Sequence, residues 1–270
     1  MHCELHIHKP YTYMPTFLFH DLVYGPIKSR RLGNSLGVNL LPVDKKYCNF
    51  NCIYCECGAN LGGGGIRLSR RADIANALSM KLKELHAQGI AVDSITFAGN
   101  GEPTIHPDFE GVMEDTVAER NKYYPEAKIS VLSNATRIAN PDVVKALMLI
   151  DNRILKLDSA IEATAKAIDR PVGDYSVART VELLKSFDGN FTLQTMFLEG
   201  NVNGVHINNM TEEEVSAWLE VVKATRPKKV MIYTIDRATP ETDLRKASHN
   251  ELDAIRDRLM ASGFDVSVSY

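Results

Sequence analysis

Three cysteines stand at spacings of three and two residues in Cys48-Asn49-Phe50-Asn51-Cys52-Ile53-Tyr54-Cys55, directly after a predicted strand. A loop that short can wrap all three thiolates around one metal centre. On an iron-sulfur cubane three thiolates leave one iron without a protein ligand, and an open coordination position is what separates a reactive metal centre from a closed structural one. Ligand type alone leaves a second reading open, a zinc site completed by a histidine or by Cys57. Of five cysteines, four fall within residues 48–57, a clustering that suits metal ligands better than a disulfide framework in a chain of 270 residues.

The elements that must position this loop are legible from periodicity. Ser69 is placed to cap a helix with an apolar face of Ile74, Leu78, Leu82 and Leu85, which Gly89 ends. A strand at 94–98 leads into Gly99-Asn100-Gly101-Glu102-Pro103. A helix over about 108–121 precedes a strand at 128–132, and Asn140 with Pro141 opens the helix before a strand at 153–157. Helical residues around Val177, Val181 and Leu184 precede a strand at 191–197. Thr211 and Glu214 have capping-box spacing ahead of a helix stopped by Arg226-Pro227, as do Ser248 and Glu251 ahead of the last helix. A strand at 229–234 separates those two helices, and 264–269 adds a final one.

With 35–42 as the first strand, about six strands alternate with helices, the pattern of a parallel sheet with right-handed crossovers. That falls short of the eight units of a closed barrel, so the expected fold is α/β, an open, partial (β/α)6 barrel with parallel strands. Its reaction site belongs at the carboxyl ends of the strands. Residues 35–270 are read as one partial-barrel domain and residues 1–34 as an N-terminal extension, with no internal repeat and no Pro/Ser-rich linker. The glycines Gly62 to Gly65 read as a connector, or secondarily as an anion-binding nest.

The C-x3-C-x-aromatic-C loop after one strand, followed by Gly101-Glu102-Pro103 after the next, resembles the radical S-adenosylmethionine (SAM) superfamily, and the order of elements extends the resemblance over nearly the whole chain. The resemblance implies that Cys48, Cys52 and Cys55 hold a 4Fe-4S cluster whose fourth iron is chelated by the amino and carboxylate groups of SAM. Gly101, Glu102 and Pro103 match a Gly-Gly-Glu-Pro motif that receives the SAM ammonium, with Asn100 in place of the first glycine; Asn tolerates left-handed backbone better than most residues. By strand-end position, Ser133, Asn134, Asp158, Ser159, Gln194 and Tyr233-Thr234 match cofactor-pocket contacts, although polar groups at strand ends also occur for structural reasons.

The implied reaction is reductive cleavage of SAM to a 5'-deoxyadenosyl radical that abstracts hydrogen from a substrate, an oxidoreductase-type enzyme fed by an electron donor such as flavodoxin or ferredoxin. The cofactor brings the hard chemistry, and the protein aligns and shields the reactants. Backbone around Phe50 and Tyr54 is expected to hydrogen-bond the sulfurs, and Tyr54 to pack by the cluster and the adenine. The stretch Tyr24-Gly25-Pro26-Ile27-Lys28-Ser29-Arg30-Arg31-Leu32-Gly33, with Cys55-Glu56-Cys57-Gly58, resembles a branch related to the wyosine-forming tRNA-modifying enzymes. Those relatives carry a second cluster, for which Cys3 and Cys57 are too few. Cys57 reads as a thiol lying beside the cluster or as a hydrogen donor to a substrate radical. His2, His6 and His8 alternate as on one strand face and read as incidental.

Net charge is −3, yet residues 1–71 hold nine Lys/Arg against four Asp/Glu, including Lys28, Arg30, Arg31, Arg67, Arg70 and Arg71. A basic end can face a phosphate-bearing substrate or nucleic acid, or be a solvated face, and the substrate classes are a small molecule or a nucleoside in tRNA. Two other readings compete, a glycyl-radical activating enzyme acting on a partner protein and a non-catalytic zinc or iron-sulfur module. With no apolar run of membrane-spanning length and no secretory leader pattern at the start, a cytoplasmic location is expected.

Overall fold

The structure, a computed structural model, describes residues 17–60 and 65–270. Among these residues are eleven strands: β1 Val23–Ser29, β2 Gly33–Val38, β3 Ser94–Phe97, β4 Lys128–Ser133, β5 Asn152–Lys156, β6 Thr192–Met196, β7 Leu198–Val202, β8 Val205–Asn208, β9 Lys229–Tyr233, β10 Leu244–Lys246 and β11 Val266–Ser269. The helices are α1 Arg71–Ala87, α2 Phe109–Tyr123, α3 Pro141–Met148, α4 Glu162–Asp169, α5 Val177–Lys185, α6 Glu212–Thr225 and α7 His249–Ala261. Eight strands form one sheet in the order β1-β2-β3-β4-β5-β6-β9-β11, parallel throughout except for β1. The curled, mostly parallel sheet is a half-barrel, as expected, extended beyond six strands by β11 and by β1, which pairs antiparallel with β2.

The two faces of the sheet differ in chemistry. Leu36, Val38, Ile95, Phe97, Ile129, Val131, Leu155, Leu193, Val230 and Ile232 are buried in the main core with the apolar stripes of the helices. The residues that alternate with them face the concave side, because successive side chains of a strand point to opposite faces. There Ser35, Ser94, Thr96 and Ser130 link hydroxyl to hydroxyl, and the Asn152 amide donates to Ser130 at 3.1 Å. Closed barrels fill this face with layers of bulky branched side chains, whereas here small hydroxyls floor it.

Local differences from the sequence reading have physical causes. Ser69 does not cap α1: Arg70 occupies the cap position, its guanidinium pairs with Asp73, and the Ser69 carbonyl accepts from His106 Nε2 at 2.8 Å. Thr211 caps α6, but Glu214 turns away from it to accept from Ser159 Oγ at 2.6 Å, so only half of a capping box forms. The Ser248/Glu251 box forms completely. A second sheet, β10-β7-β8, has no counterpart in the sequence reading; its strands are only three to five residues long. Among the described residues no helix is long and apolar enough to cross a membrane.

Candidate metal centre

Backbone bonds fix the cysteine loop on two sides. On one, the Tyr47 N–H donates to the Asn100 carbonyl at 2.7 Å and the Glu102 N–H donates to the Tyr47 carbonyl at 3.2 Å. Gly101 lies between them at φ +142°, and a Cβ there would sit 1.8 Å from the Tyr47 oxygen, so the approach requires glycine. On the other side, the N–H groups of Asn51 and Ile53 donate to the carbonyls of Asp169 and Ile168 at 2.9 Å. Those carbonyls end α4 and have no partner within the helix, so the loop serves as its cap. Asn60 closes the loop on itself, donating to the carbonyls of Cys48 and Phe50.

Donors surround the sulfurs. Cys48 Sγ accepts from the Phe50 N–H at 3.4 Å, as expected, and from the Asn134 amide at 3.6 Å. Lys156 Nζ lies 3.4 Å from Cys52 Sγ. Burial works against the charge of Lys46, but Cys55, Cys52 and Cys48 together favour its ammonium form and raise its pKa. Cys55 is lowered to about 5 by a hydrogen bond from Cys57, against burial and with help from Lys46; Cys48 is pushed up to about 12 by burial and by the charge of Glu102. Cys57 also approaches the Gly99 carbonyl at 3.3 Å. Among the described residues no three His, Cys, Asp or Glu side chains are placed to hold a single metal ion. Three thiols on one loop, with N–H donors and two ammonium groups beside them, fit the ligand set of a 4Fe-4S cluster.

Glu102 is 2% exposed and lies on the same side of the sheet as the cysteines. Its Oε1 accepts from the Thr104 N–H, the Thr104 hydroxyl and Ser133 Oγ, and its Oε2 from the Asn134 N–H at 2.6 Å. Burial raises its pKa against these four donors. Ser133 and Asn134 thus converge on Glu102, with Asn134 also touching Cys48. Pro103 begins a short 3-10 turn, buried behind Glu102. Asn100 is fully buried and clamps the incoming chain: its amide donates to the carbonyls of Phe19 and Pro42, and its oxygen accepts the Phe19 N–H.

Asp158, Gln194 and Tyr233 gather deeper along the concave face. The Tyr54 hydroxyl donates to Asp158 Oδ2 at 2.5 Å, and Asp158 Oδ1 accepts the Met196 N–H at 2.9 Å. Lys156 pairs with Asp158 at 3.1 Å and with Asp169, and burial of its ammonium is outweighed by these carboxylates, which hold it charged. Arg31, from the β1–β2 turn, donates to Gln194 Oε1 at 3.0 Å and stacks 4.6 Å over the Tyr233 ring. Ser159 does not join this group; its hydroxyl faces Glu214. The Thr234 hydroxyl donates to the Phe197 carbonyl.

Lys46, Lys156 and Asp169 escaped the sequence reading as site residues, and Arg31 entered it only as one member of the basic group near the start. Lys156 carries a signal, a lone charge at a lumen-facing position of the apolar strand Ile154-Leu155-Lys156-Leu157, and Asp169 another, an acidic residue at the unfavourable end of a helix dipole. Of the basic residues near the start, Arg30, Arg70 and Arg71 are paired with carboxylates. His2, His6, His8, Cys3 and the glycines Gly62 to Gly64 lie outside the described residues.

Comparison with known proteins meets this geometry. The chain is 28% identical over 240 residues to a protein named GTPase Obg of Brachyspira hyodysenteriae, covering 86% of this chain and 32% of that protein. It is 28% identical to a UPF0026 protein of Methanocaldococcus jannaschii, covering 82% of this chain and 65% of the relative, and 29% identical to one of Helicobacter pylori, covering 92% and 76%. It therefore spans about a third of the first of these relatives and about two thirds of the second. A radical SAM methyltransferase from Sphaerobacter thermophilus shares the fold at a TM-score of 0.63 and 13% identity, covering 87% of this chain and 66% of that one. SuiB of Streptococcus suis, bound to S-adenosylmethionine, shares it at 0.61 and 13%, covering 84% and 49%. The profile of the radical SAM superfamily matches residues 45–222, from the lysines before the cysteine loop into α6, and the chain belongs to that superfamily.

Proposed function

We propose that this chain is an enzyme that binds a 4Fe-4S cluster through Cys48, Cys52 and Cys55 and reductively cleaves S-adenosylmethionine. One observation carries the reading: Asn134 touches Cys48 Sγ with its amide and Glu102 with its N–H, while Tyr47 and Gly101 lock the two loops together. The ligand loop and the Gly101-Glu102-Pro103 loop thereby form one rigid unit.

When bound, the cluster supplies the electron that splits SAM into methionine and a 5'-deoxyadenosyl radical. The chain's own groups hold and orient. Glu102 Oε2 accepts one protein hydrogen bond, which leaves a lone pair for the SAM ammonium, while Oε1 is saturated by Thr104 and Ser133. Lys46, Lys156 and the N–H groups facing the sulfurs compensate thiolate charge. Asp158, fixed by Tyr54 and the Met196 N–H, lines the space beyond, where it is suited to hold the ribose of the cofactor. Ser159, bonded to Glu214, positions α6 against the end of β5.

The test is anaerobic reconstitution with iron and sulfide, followed by electron paramagnetic resonance of the reduced protein with and without SAM. A signal that shifts on adding SAM is expected. An iron-loaded protein whose signal ignores SAM would contradict the reading.

A further inference from the structure

We propose that Arg31 binds an oxyanion of the substrate, a carboxylate or a phosphate, inside the half-barrel; this rests on the catalytic reading above and narrows its substrate class.

The β1–β2 turn carries two adjacent arginines with different surroundings. Arg30 reaches across to the far end of the sheet, pairing with Asp236 at 3.4 Å and donating to the Tyr270 carbonyl. Arg31 turns to the concave face, where it stacks on Tyr233 and donates one N–H to Gln194. Gln194 stands in register with Lys156, the residue beside Cys52, so this guanidinium enters the same lumen as the cysteine loop. Its backbone is preset: Ser29 Oγ accepts the N–H groups of both Arg31 and Leu32 at 3.2 Å.

Arg31 is half-buried, yet among the described residues no Asp or Glu lies within ion-pairing distance of it. A guanidinium presents five N–H donors in a fixed fork, and here one is used. The Gln194 amide nitrogen likewise donates to no described residue. A cation held over an aromatic ring, with free N–H donors and a neutral amide beside it, has the form of an oxyanion site. The SAM carboxylate is the other available oxyanion, but its place is at the cysteine loop. Arg31 is separated from Cys52 by a chain of side chains through Lys156, Asp158, Tyr54 and Tyr233.

The experiment is calorimetric titration of the reconstituted full chain with inorganic phosphate and with malonate at constant ionic strength, in the wild type and in Arg31→Gln, Arg31→Lys and Lys28→Gln. Thermal unfolding confirms that each variant is folded. At least one probe is expected to bind the wild type, with affinity reduced about tenfold or more in Arg31→Gln, less in Arg31→Lys, and kept in Lys28→Gln, which removes the same charge from the exposed part of the hairpin. Equal affinity in wild type and Arg31→Gln, or no probe binding to the wild type, overturns the inference. A fall in SAM affinity matching the fall in probe affinity assigns the site to the SAM carboxylate and overturns the substrate assignment. A wild type that takes up no iron takes down the catalytic reading as well, whereas iron-loaded protein with Arg31-independent binding overturns this inference alone.

Discussion

Lys156 holds its ammonium 3.4 Å from the sulfur of Cys52, between the carboxylates of Asp158 and Asp169 and over the rings of Phe50 and Tyr54. Among the described residues it is the one cation paired with these two buried acids, so its removal leaves charge without compensation. Lys156→Met is expected to destabilise the apo chain by about 3–5 kcal/mol, and the double variant with Asp169→Leu by less than that, because the stranded carboxylate is removed too. Chemical denaturation of the single and double variants measures the coupling. In reconstituted protein the loss of a charged donor to a ligand sulfur is expected to lower the cluster's reduction potential, read by redox titration.

Gly101 is the contact between the two loops. Gly101→Ala sets a methyl group against the Tyr47 carbonyl at a φ that side chains rarely adopt, a strain of about 2–4 kcal/mol. The loops are expected to separate, and iron bound per chain after reconstitution is expected to fall sharply while far-ultraviolet circular dichroism is retained. Full iron loading in Gly101→Ala would show that the lacing of the loops is not required.

Asn100, where the superfamily motif has glycine, holds Phe19 by both backbone groups and also binds the Pro42 carbonyl. Asn100→Gly is therefore expected to cost about 1–3 kcal/mol and to speed hydrogen exchange at the Phe19 amide. Unchanged exchange at that amide would mean the clamp is weak in solution.

The half-barrel was legible because its strands and helices carry sustained apolar periodicity, as in Ile74, Leu78, Leu82 and Leu85 on α1, and because Asn140, Thr211 and Ser248 mark helix starts. The small sheet β10-β7-β8 was not, since runs of three to five residues are too short for their alternation to stand out and their pairing is set by tertiary contacts. Within the site, Cys48, Cys52 and Cys55 stand out by their spacing together with the motif resemblance, and Glu102 by that resemblance. Lys46, Lys156 and Asp169 do not, because what distinguishes them is burial against the cysteines or one another, and Arg31 is set apart from its basic neighbours only by its contacts with Gln194 and Tyr233, all properties of the folded chain.

The three cysteines are proposed to hold a redox-active cluster next to bound SAM, and one assay tests this directly. Anaerobically reconstituted and reduced, the wild type is predicted to contain about four irons per chain and to convert SAM to 5'-deoxyadenosine, and Cys52→Ala is predicted to lose both. Bound zinc without iron and no 5'-deoxyadenosine from the wild type, or equal turnover by Cys52→Ala, would contradict it.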